Sequence, residues 1–119
     1  MRIYKEFQFE AAHYLPSAPL GSPNARVHGH SFRARVSIDG MPGNDTGYVF
    51  HFDELAGAMA EAQDALDHRL LNEVEGLGKP TLENLAKFIF LRAKAALPET
   101  ARVKLRRPSY GQTCTYEEV

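Results

Sequence analysis

The sequence contains no tryptophan, a single cysteine and no apolar run of membrane-spanning length. One cysteine, Cys114, excludes an internal disulfide framework and favours a reducing compartment. A formal net charge of −1 gives no electrostatic basis for binding nucleic acid or an anionic membrane. The first residues also lack the apolar core of a signal peptide. These absences predict a cytoplasmic protein with neither nucleic-acid nor membrane partners.

The length and the hydrophobic pattern predict an α+β domain. A chain of 119 residues has the size of one domain, so we expect a single domain over 1–119. Asp53 and Thr81 are the expected helix N-caps. The predicted elements are strands over 7–13 and 28–38, helices over 53–66 and 82–97, and strands over 102–106 and 113–118, with 48–50 either a short strand or a lead-in to the first helix. This order favours a four-stranded antiparallel sheet with both helices on one face.

Three histidines occupy strand positions from which their side chains can meet. His13 ends the apolar face of the first strand. His28 and His30 share one face of the second strand, because residues i and i+2 point the same way. Imidazole is a common zinc ligand, and three protein ligands leave a fourth position open to water or substrate. The trio therefore predicts a catalytic metal site.

The metal prediction competes with a purely structural interpretation of these residues. One histidine on a strand is more often packed or hydrogen-bonded than a ligand, but three buried imidazoles need a shared partner. Three neutral nitrogens suit zinc, and nickel, copper and iron stay open on affinity alone. A cupin-type site normally adds an acid after His-x-His, whereas residues 31–35 read Ser-Phe-Arg-Ala-Arg. The sequence therefore favours zinc and disfavours a cupin.

Several short motifs match one family pattern. They are Phe-Glu-Ala-Ala-His at 9–13, His-Gly-His-Ser-Phe at 28–32, Leu-Asp-His at 66–68, Leu-Asn at 71–72 and Pro-Thr-Leu-Glu-Asn-Leu-Ala at 80–86. In these motifs, and over essentially its whole length, the chain resembles the 6-pyruvoyl-tetrahydropterin synthase family. Its bacterial branch, the 6-carboxytetrahydropterin synthases of queuosine biosynthesis, is similar. The resemblance implies the tunnelling fold (T-fold), in which subunits join their sheets into barrels that stack as a homo-oligomer, commonly a hexamer.

The resemblance also implies a chemistry. It implies Zn²⁺ on His13, His28 and His30, active sites between subunits, and a lyase reaction on dihydroneopterin triphosphate or a related pterin. In the family, zinc acts as a Lewis acid on side-chain oxygens, a cysteine thiolate takes a proton and an Asp-His pair relays it. Asp67 and His68 match that pair. A histidine after a helix end with a nearby acid is the structural alternative.

Two further matches concern substrate binding. Thr81 and Glu83 occupy positions where the resemblance implies contacts with the substrate. Helix capping by Thr81 and a favourable charge of Glu83 near the positive end of the helix dipole explain both residues equally well. The sequence leaves these two interpretations open.

The chain departs from the family pattern at three positions. Asn24 stands where the family has its cysteine, and an amide has no useful basicity. Arg107 stands where the family has a glutamate that anchors the donor edge of the pterin ring. His51 replaces an aspartate before Phe52. Since both the base and the ring anchor differ, the standard reaction is expected to be weak.

These departures leave two alternatives to the standard enzyme. One is altered chemistry, with Asp67 and His68 or His51 as the base and an acceptor-rich or anionic substrate at Arg107. The other is a catalytically silent zinc-binding paralogue. Cys114 is expected to be a core residue rather than a relocated thiol. Arginines that can hold a polyanion are Arg26, Arg33, Arg35, Arg106 and Arg107.

Overall fold

A computed structural model describes residues 1–118 and contains the predicted elements. The strands are β1 (Arg2–His13), β2 (His28–Asp39), β3 (Arg102–Arg107) and β4 (Gln112–Tyr116), and the helices are α1 (Phe52–Leu66) and α2 (Leu82–Ala96). β1 begins at Arg2 instead of the predicted start at residue 7, and β4 ends at Tyr116 instead of the predicted end at residue 118. The single domain predicted over 1–119 includes Val119, which lies outside the described residues. The single domain therefore stays a prediction. In the described part of the chain, no helix is long and apolar enough to cross a bilayer.

The four strands form one antiparallel sheet in the order β1-β2-β3-β4. One face of this sheet is apolar because alternate residues of each strand, such as Phe9, Phe32 and Leu105, are almost fully buried there. Both helices pack on that face, with Leu55 of α1 and Ile89 of α2 completely buried. Each such side chain stabilises the fold by about 1.5–3 kcal/mol relative to an exposed one. The predicted fold class is confirmed.

The start of α1 differs from the prediction. Its N-cap is His51 rather than Asp53, because the imidazole Nδ1 of His51 accepts a hydrogen bond from the backbone N–H of Asp53 at 3.1 Å. Asp53 lies in the first turn, where its charge complements the helix dipole. Residues 48–50 form a bend rather than a strand, so they lead into the helix. The histidine that departs from the family pattern therefore has a local structural role.

The pairing of β1 with β2 sets the geometry of the histidine end of the sheet. His13 lies directly opposite His28, and Ala11 lies opposite His30. β3 pairs with Arg33–Ser37 of β2, so the described strands leave the His28–His30 end of β2 without a neighbour on that side. The three histidines consequently lie at one open end of the sheet, on its helix-covered face.

Most of the arginines proposed to hold a polyanion lie on the opposite face of the sheet. The guanidinium of Arg106 pairs with Glu6 at 3.2 Å, and that of Arg35 approaches the same carboxylate at 3.9 Å. Arg33 shares this outer face, and Arg26 is exposed in the loop before β2. Only Arg107 points to the same side of the sheet as the histidines. The five arginines therefore do not form one cluster.

Candidate metal centre and active site

His13, His28 and His30 converge as the sequence predicts. One nitrogen from each imidazole lies within 4.8 Å of the others. The ring centroid of His13 is 4.6 Å from that of His28 and 5.0 Å from that of His30. Strand register and the two-residue strand period produce this convergence, because they place all three side chains on one face.

Backbone carbonyls orient two of the three rings. Nδ1 of His13 lies 2.8 Å from the carbonyl oxygen of Pro80, and Nδ1 of His28 lies 2.7 Å from that of Arg26. A carbonyl oxygen can only accept, so Nδ1 carries the proton in both rings and Nε2 is left with a free lone pair. Metal-binding histidines typically show this arrangement, in which a second-shell acceptor fixes the tautomer.

The nitrogens directed into the site lack any other partner. Among the described residues, Nε2 of His13, Nε2 of His28 and both ring nitrogens of His30 are buried without a hydrogen bond. Buried polar atoms of this kind are costly unless something satisfies them. The arrangement therefore points to a ligand shared by the three rings.

The donor set fits zinc. Tetrahedral zinc with Zn–N bonds of about 2.0–2.1 Å requires nitrogens roughly 3.4 Å apart, so each ring needs to move inward by about 1 Å or less. Three neutral nitrogens and one remaining position are the donor set of a catalytic zinc site. His13, His28 and His30 would hold the ion.

The electrostatic surroundings keep two of the rings neutral. Burial lowers the pKa of His13, and it lowers the pKa of His30 to about 4, with the nearby charge of Arg107 acting in the same direction. A neutral imidazole is the form that binds a metal. At neutral pH neither of these rings has to lose a proton before it can act as a ligand.

Asn24 lies in a short 3-10 turn, Pro23–Ala25, within the loop before β2. Its backbone carbonyl accepts a hydrogen bond from the N–H of Leu15 at 2.8 Å, and its N–H donates to Ser22 Oγ at 3.2 Å. The side chain of Asn24 is exposed and forms no hydrogen bond with the described residues. The position therefore tolerates a change of side chain without loss of the loop's backbone contacts.

Asp67 and His68 form a hydrogen-bonded pair at the edge of β1. Oδ2 of Asp67 lies 3.0 Å from Nδ1 of His68, and Oδ1 accepts from the backbone N–H of Glu10 at 2.9 Å. The backbone of His68 has the left-handed φ of 60°, and its N–H donates to the carbonyl of Glu10 at 2.6 Å. These two contacts with β1 hold the unfavourable φ angle in place. The hydrogen bond from Glu10 is the main cause that lowers the pKa of Asp67, followed by the contact with His68.

An open cleft of about 640 Å³ lies beside His68 and reaches one residue of the trio, His30. His30 and His68 both line it, together with Glu10, Ser31 and Tyr110. The side chain of His68 is 80% exposed, and within residues 1–118 no hydrogen bond or ring contact joins it to the histidine trio. Asp67 and His68 are therefore paired as predicted, and His68 lines the cleft without touching the trio of its own chain in the described residues, while their relay role stays a prediction.

Thr81 is the N-cap of α2, as predicted. Its hydroxyl accepts a hydrogen bond from the backbone N–H of Asn84 at 3.2 Å, and Glu83 lies exposed in the first turn. The preceding residue, Pro80, provides the carbonyl that orients His13. The capped start of α2 thus supports the metal centre through the backbone, which is a structural explanation for this motif.

We expect Thr81→Ala to lower the free energy of unfolding by about 1 kcal/mol, because the capping acceptor is lost. Thr81→Ser keeps a hydroxyl acceptor and serves as the matched control. Urea denaturation of the metal-free proteins measures both. An alanine variant with unchanged stability but weaker substrate binding would show that capping is not the main role of the residue.

Arg107 lies on the metal-centre side of β3. It is half-buried, and its Nε is buried without a hydrogen-bond partner among the described residues. Burial lowers the pKa of its guanidinium, while Glu83 and Tyr110 act in the opposite direction. Sequence reasoning located this residue through its departure from the family pattern, and the structure places its charge close enough to His30 to affect that ring.

Cys114 is half-buried and packs against the hydrophobic core. Burial raises the pKa of its thiol, with the charge of Glu83 adding to the effect. A thiol with a raised pKa is a poor source of thiolate at neutral pH. The interpretation of Cys114 as a core residue is supported, and it does not take the place of the missing family cysteine.

Two features of the site were not predicted from the sequence. The carbonyls of Pro80 and Arg26 have no side-chain signature, so no motif reveals them as partners of His13 and His28. The ring of Tyr110 lies edge-on to His30 with centroids 5.1 Å apart. Tyr110 belongs to a 3-10 turn, Pro108–Tyr110, that the sequence predicted only as a connection.

Comparison with known proteins places the chain in a family. The family model described as 6-pyruvoyl tetrahydropterin synthase matches residues 2–119. The chain is 40% identical over 118 residues to the 6-carboxy-5,6,7,8-tetrahydropterin synthase of Synechocystis sp., covering 95% of this chain and 87% of that protein. It is 34% identical over 108 residues to the dihydroneopterin monophosphate aldolase of Pyrococcus furiosus, covering 91% and 86%. The structure of Caenorhabditis elegans 6-pyruvoyl tetrahydropterin synthase superposes with a TM-score of 0.86 at 23% identity, covering 100% of this chain and 96% of that one, and shows that the predicted T-fold is correct. The chain therefore belongs to the 6-pyruvoyl tetrahydropterin synthase family.

Proposed function

We propose that the protein is a zinc-dependent lyase of the 6-carboxytetrahydropterin synthase type that acts on dihydroneopterin triphosphate or a related pterin. The main support for this proposal is the convergence of three imidazoles whose buried ring nitrogens have no hydrogen-bond partner among the described residues. The names of the relatives in Synechocystis and Pyrococcus support a pterin as the substrate class.

The histidine trio provides the binding site for the metal. When bound, zinc would supply Lewis acidity that polarises a substrate oxygen. His13 and His28 contribute through Nε2, since their Nδ1 atoms are engaged by carbonyls. With His30, these two rings would hold the ion, and a site with three protein ligands would leave room for the substrate.

Proton transfer is assigned to His68. The ordinary pKa of histidine lies near neutrality, which suits a residue that both takes and gives a proton. Asp67 binds Nδ1 of His68, which lines the cleft, so Nε2 of that ring is left to exchange a proton with the substrate. Asn24 cannot accept the proton that a thiolate would take, so Asp67 and His68 carry the base function. Thr81 and Glu83 are proposed as contacts for the substrate.

Assembly of several chains is part of the proposal. His68 has no contact with the trio of its own chain within the described residues, so a site that uses both needs either a bridging substrate or a second subunit. We propose a homo-oligomer, a hexamer as in the T-fold pattern, with the sites between subunits. A cytoplasmic location agrees with the single free cysteine.

The second candidate is a paralogue with altered substrate chemistry. Asn24 and Arg107 favour it, because they replace the base and the anchor on which the standard reaction depends. A catalytically silent zinc-binding oligomer is the outcome if neither chemistry is present.

The test is cleavage of dihydroneopterin triphosphate and dihydroneopterin monophosphate by zinc-loaded protein, measured by chromatography of the pterin products. We expect zinc-dependent cleavage of at least one of them, at a rate well below that of a relative with cysteine at the position of Asn24. His68→Ala should abolish cleavage while zinc stays bound. Absence of zinc-dependent cleavage with both compounds would contradict the proposal, and a full family-like rate would contradict the altered site.

A further inference from the structure

We propose that Arg107 binds an oxyanion, a carboxylate or a phosphate group, of the ligand that occupies the pocket of the histidine trio. This inference rests on the proposed function in taking that pocket as the ligand site. The ligand would present this oxyanion to Arg107, where the resemblance implies a glutamate.

The position of Arg107 directs its side chain toward the metal centre. It ends β3 and has the same strand parity as Val103 and Leu105, which are completely buried under the helices. Because Arg106 pairs with Arg33, Arg107 lies beside Phe32, whose ring centroid is 5.6 Å from that of His30. Its side chain is half-buried and its Nε is buried, so Arg107 lies against the face of the sheet that carries the trio.

No carboxylate of the described chain neutralises Arg107. Its Nε is buried without a hydrogen-bond partner, and residues 1–118 provide no ion pair for it within 4.0 Å. The neighbouring Arg106 faces the other side of the sheet and pairs with Glu6 at 3.2 Å. Glu83 influences Arg107 only through space and is itself exposed. A half-buried, unpaired guanidinium is unfavourable unless a ligand completes it.

Charge and shape both select an oxyanion as that ligand group. A divalent ion on the trio would add positive charge to a pocket that already contains Arg107, and an anion close to both relieves the repulsion. The planar fork of arginine matches carboxylate and phosphate with two parallel hydrogen bonds. A guanidine-like pterin edge presents donors, and arginine has no acceptor to offer them. Arg107 therefore reverses the hydrogen-bond polarity recognised at this position.

The experiment compares two pterins that differ in one group. Fluorescence titration measures the binding of pterin-6-carboxylate and of the neutral 6-methylpterin to wild-type protein, first with zinc and then after removal of the metal by chelation. We expect wild-type protein to prefer the carboxylate by roughly 10- to 100-fold, the range of a charge-assisted bidentate contact. Arg107→Met should lose this preference, Arg107→Lys should keep part of it, and the matched control Arg106→Met should keep it fully.

The metal-free arm separates this inference from the proposed function. Zinc itself attracts anions, so dependence on Arg107 has to persist without it. Failure to bind zinc or to cleave a pterin would contradict the proposed function, but it would not affect the titrations of the metal-free protein. Competition with inorganic phosphate distinguishes the source of the oxyanion. If phosphate displaces pterin-6-carboxylate from wild-type protein but not from Arg107→Met, Arg107 binds phosphate as well as carboxylate. If phosphate displaces nothing, Arg107 binds carboxylates alone.

An equal affinity of wild type and Arg107→Met for pterin-6-carboxylate, in proteins whose circular dichroism shows the native fold, would overturn the inference. If Arg107→Met then also changes the assembly mass on light scattering, Arg107 pairs with a carboxylate of another subunit instead of a ligand.

Discussion

His28→Ala is expected to abolish stoichiometric zinc binding. The variant removes one of three ligands, and because loss of a mere second-shell partner costs roughly 10–100-fold in metal affinity, a lost ligand should cost more than about 100-fold. The metal-free variant should be close in stability to metal-free wild type, because removal of the unpartnered Nε2 offsets loss of the hydrogen bond from Nδ1 to the carbonyl of Arg26. Zinc at 1,000 times its dissociation constant should stabilise wild type by about 4 kcal/mol and leave the variant nearly unchanged.

Metal analysis after gel filtration and thermal unfolding with and without zinc measure these effects. His68→Ala is the matched control, because it removes an exposed imidazole that has no contact with the trio in residues 1–118. The control should bind one zinc per chain as wild type does. Full zinc content in His28→Ala, or an equal loss in His68→Ala, would mean that the trio is not the metal site.

Asn24→Cys combined with Arg107→Glu is expected to increase triphosphate release from dihydroneopterin triphosphate by about 100-fold or more, because a positioned general base contributes roughly 10²–10⁴-fold. The side chain of Asn24 is exposed and without hydrogen bonds in the described structure, so cysteine can replace it without loss of the loop's contacts. The glutamate restores an acceptor for the donor edge of the pterin. The charge of a bound metal offsets its repulsion by Glu83.

The control for this gain is Asn24→Ser with Arg107→Glu. Serine is small and polar like cysteine, but it has no accessible anionic form at neutral pH, so it should show little gain. Phosphate-product analysis with zinc-loaded proteins compares the three chains. An unchanged rate in the cysteine variant, with the zinc content and the fold preserved, would show that these two positions do not limit the standard reaction.

The strands and the site-bearing face were predictable because they depend on short-range patterns. Alternation of apolar residues fixed the face of β1 that carries Phe9 and His13, and the i, i+2 rule fixed His28 and His30. The cap at Thr81 follows from a known preference of helix starts. The cap at His51 was missed, because histidine is an uncommon N-cap and Asp53 satisfied the usual rule.

The parts that the sequence could not provide depend on tertiary packing. The register that sets His13 opposite His28 is established across a long loop rich in proline, for which no turn rule applies. The carbonyl of Pro80 meets His13 only because α2 packs where it does. Likewise, the resemblance implied a glutamate at the position of Arg107, but it did not reveal that the Nε of Arg107 is buried without a partner in the described part of the chain.

Zinc K-edge X-ray absorption of the zinc-loaded protein is the most direct test of an open three-histidine site. An open three-histidine site should show three imidazole nitrogens and one oxygen donor at about 2.0–2.1 Å. A sulfur neighbour at about 2.3 Å, or a shell with fewer than three imidazoles, would contradict it.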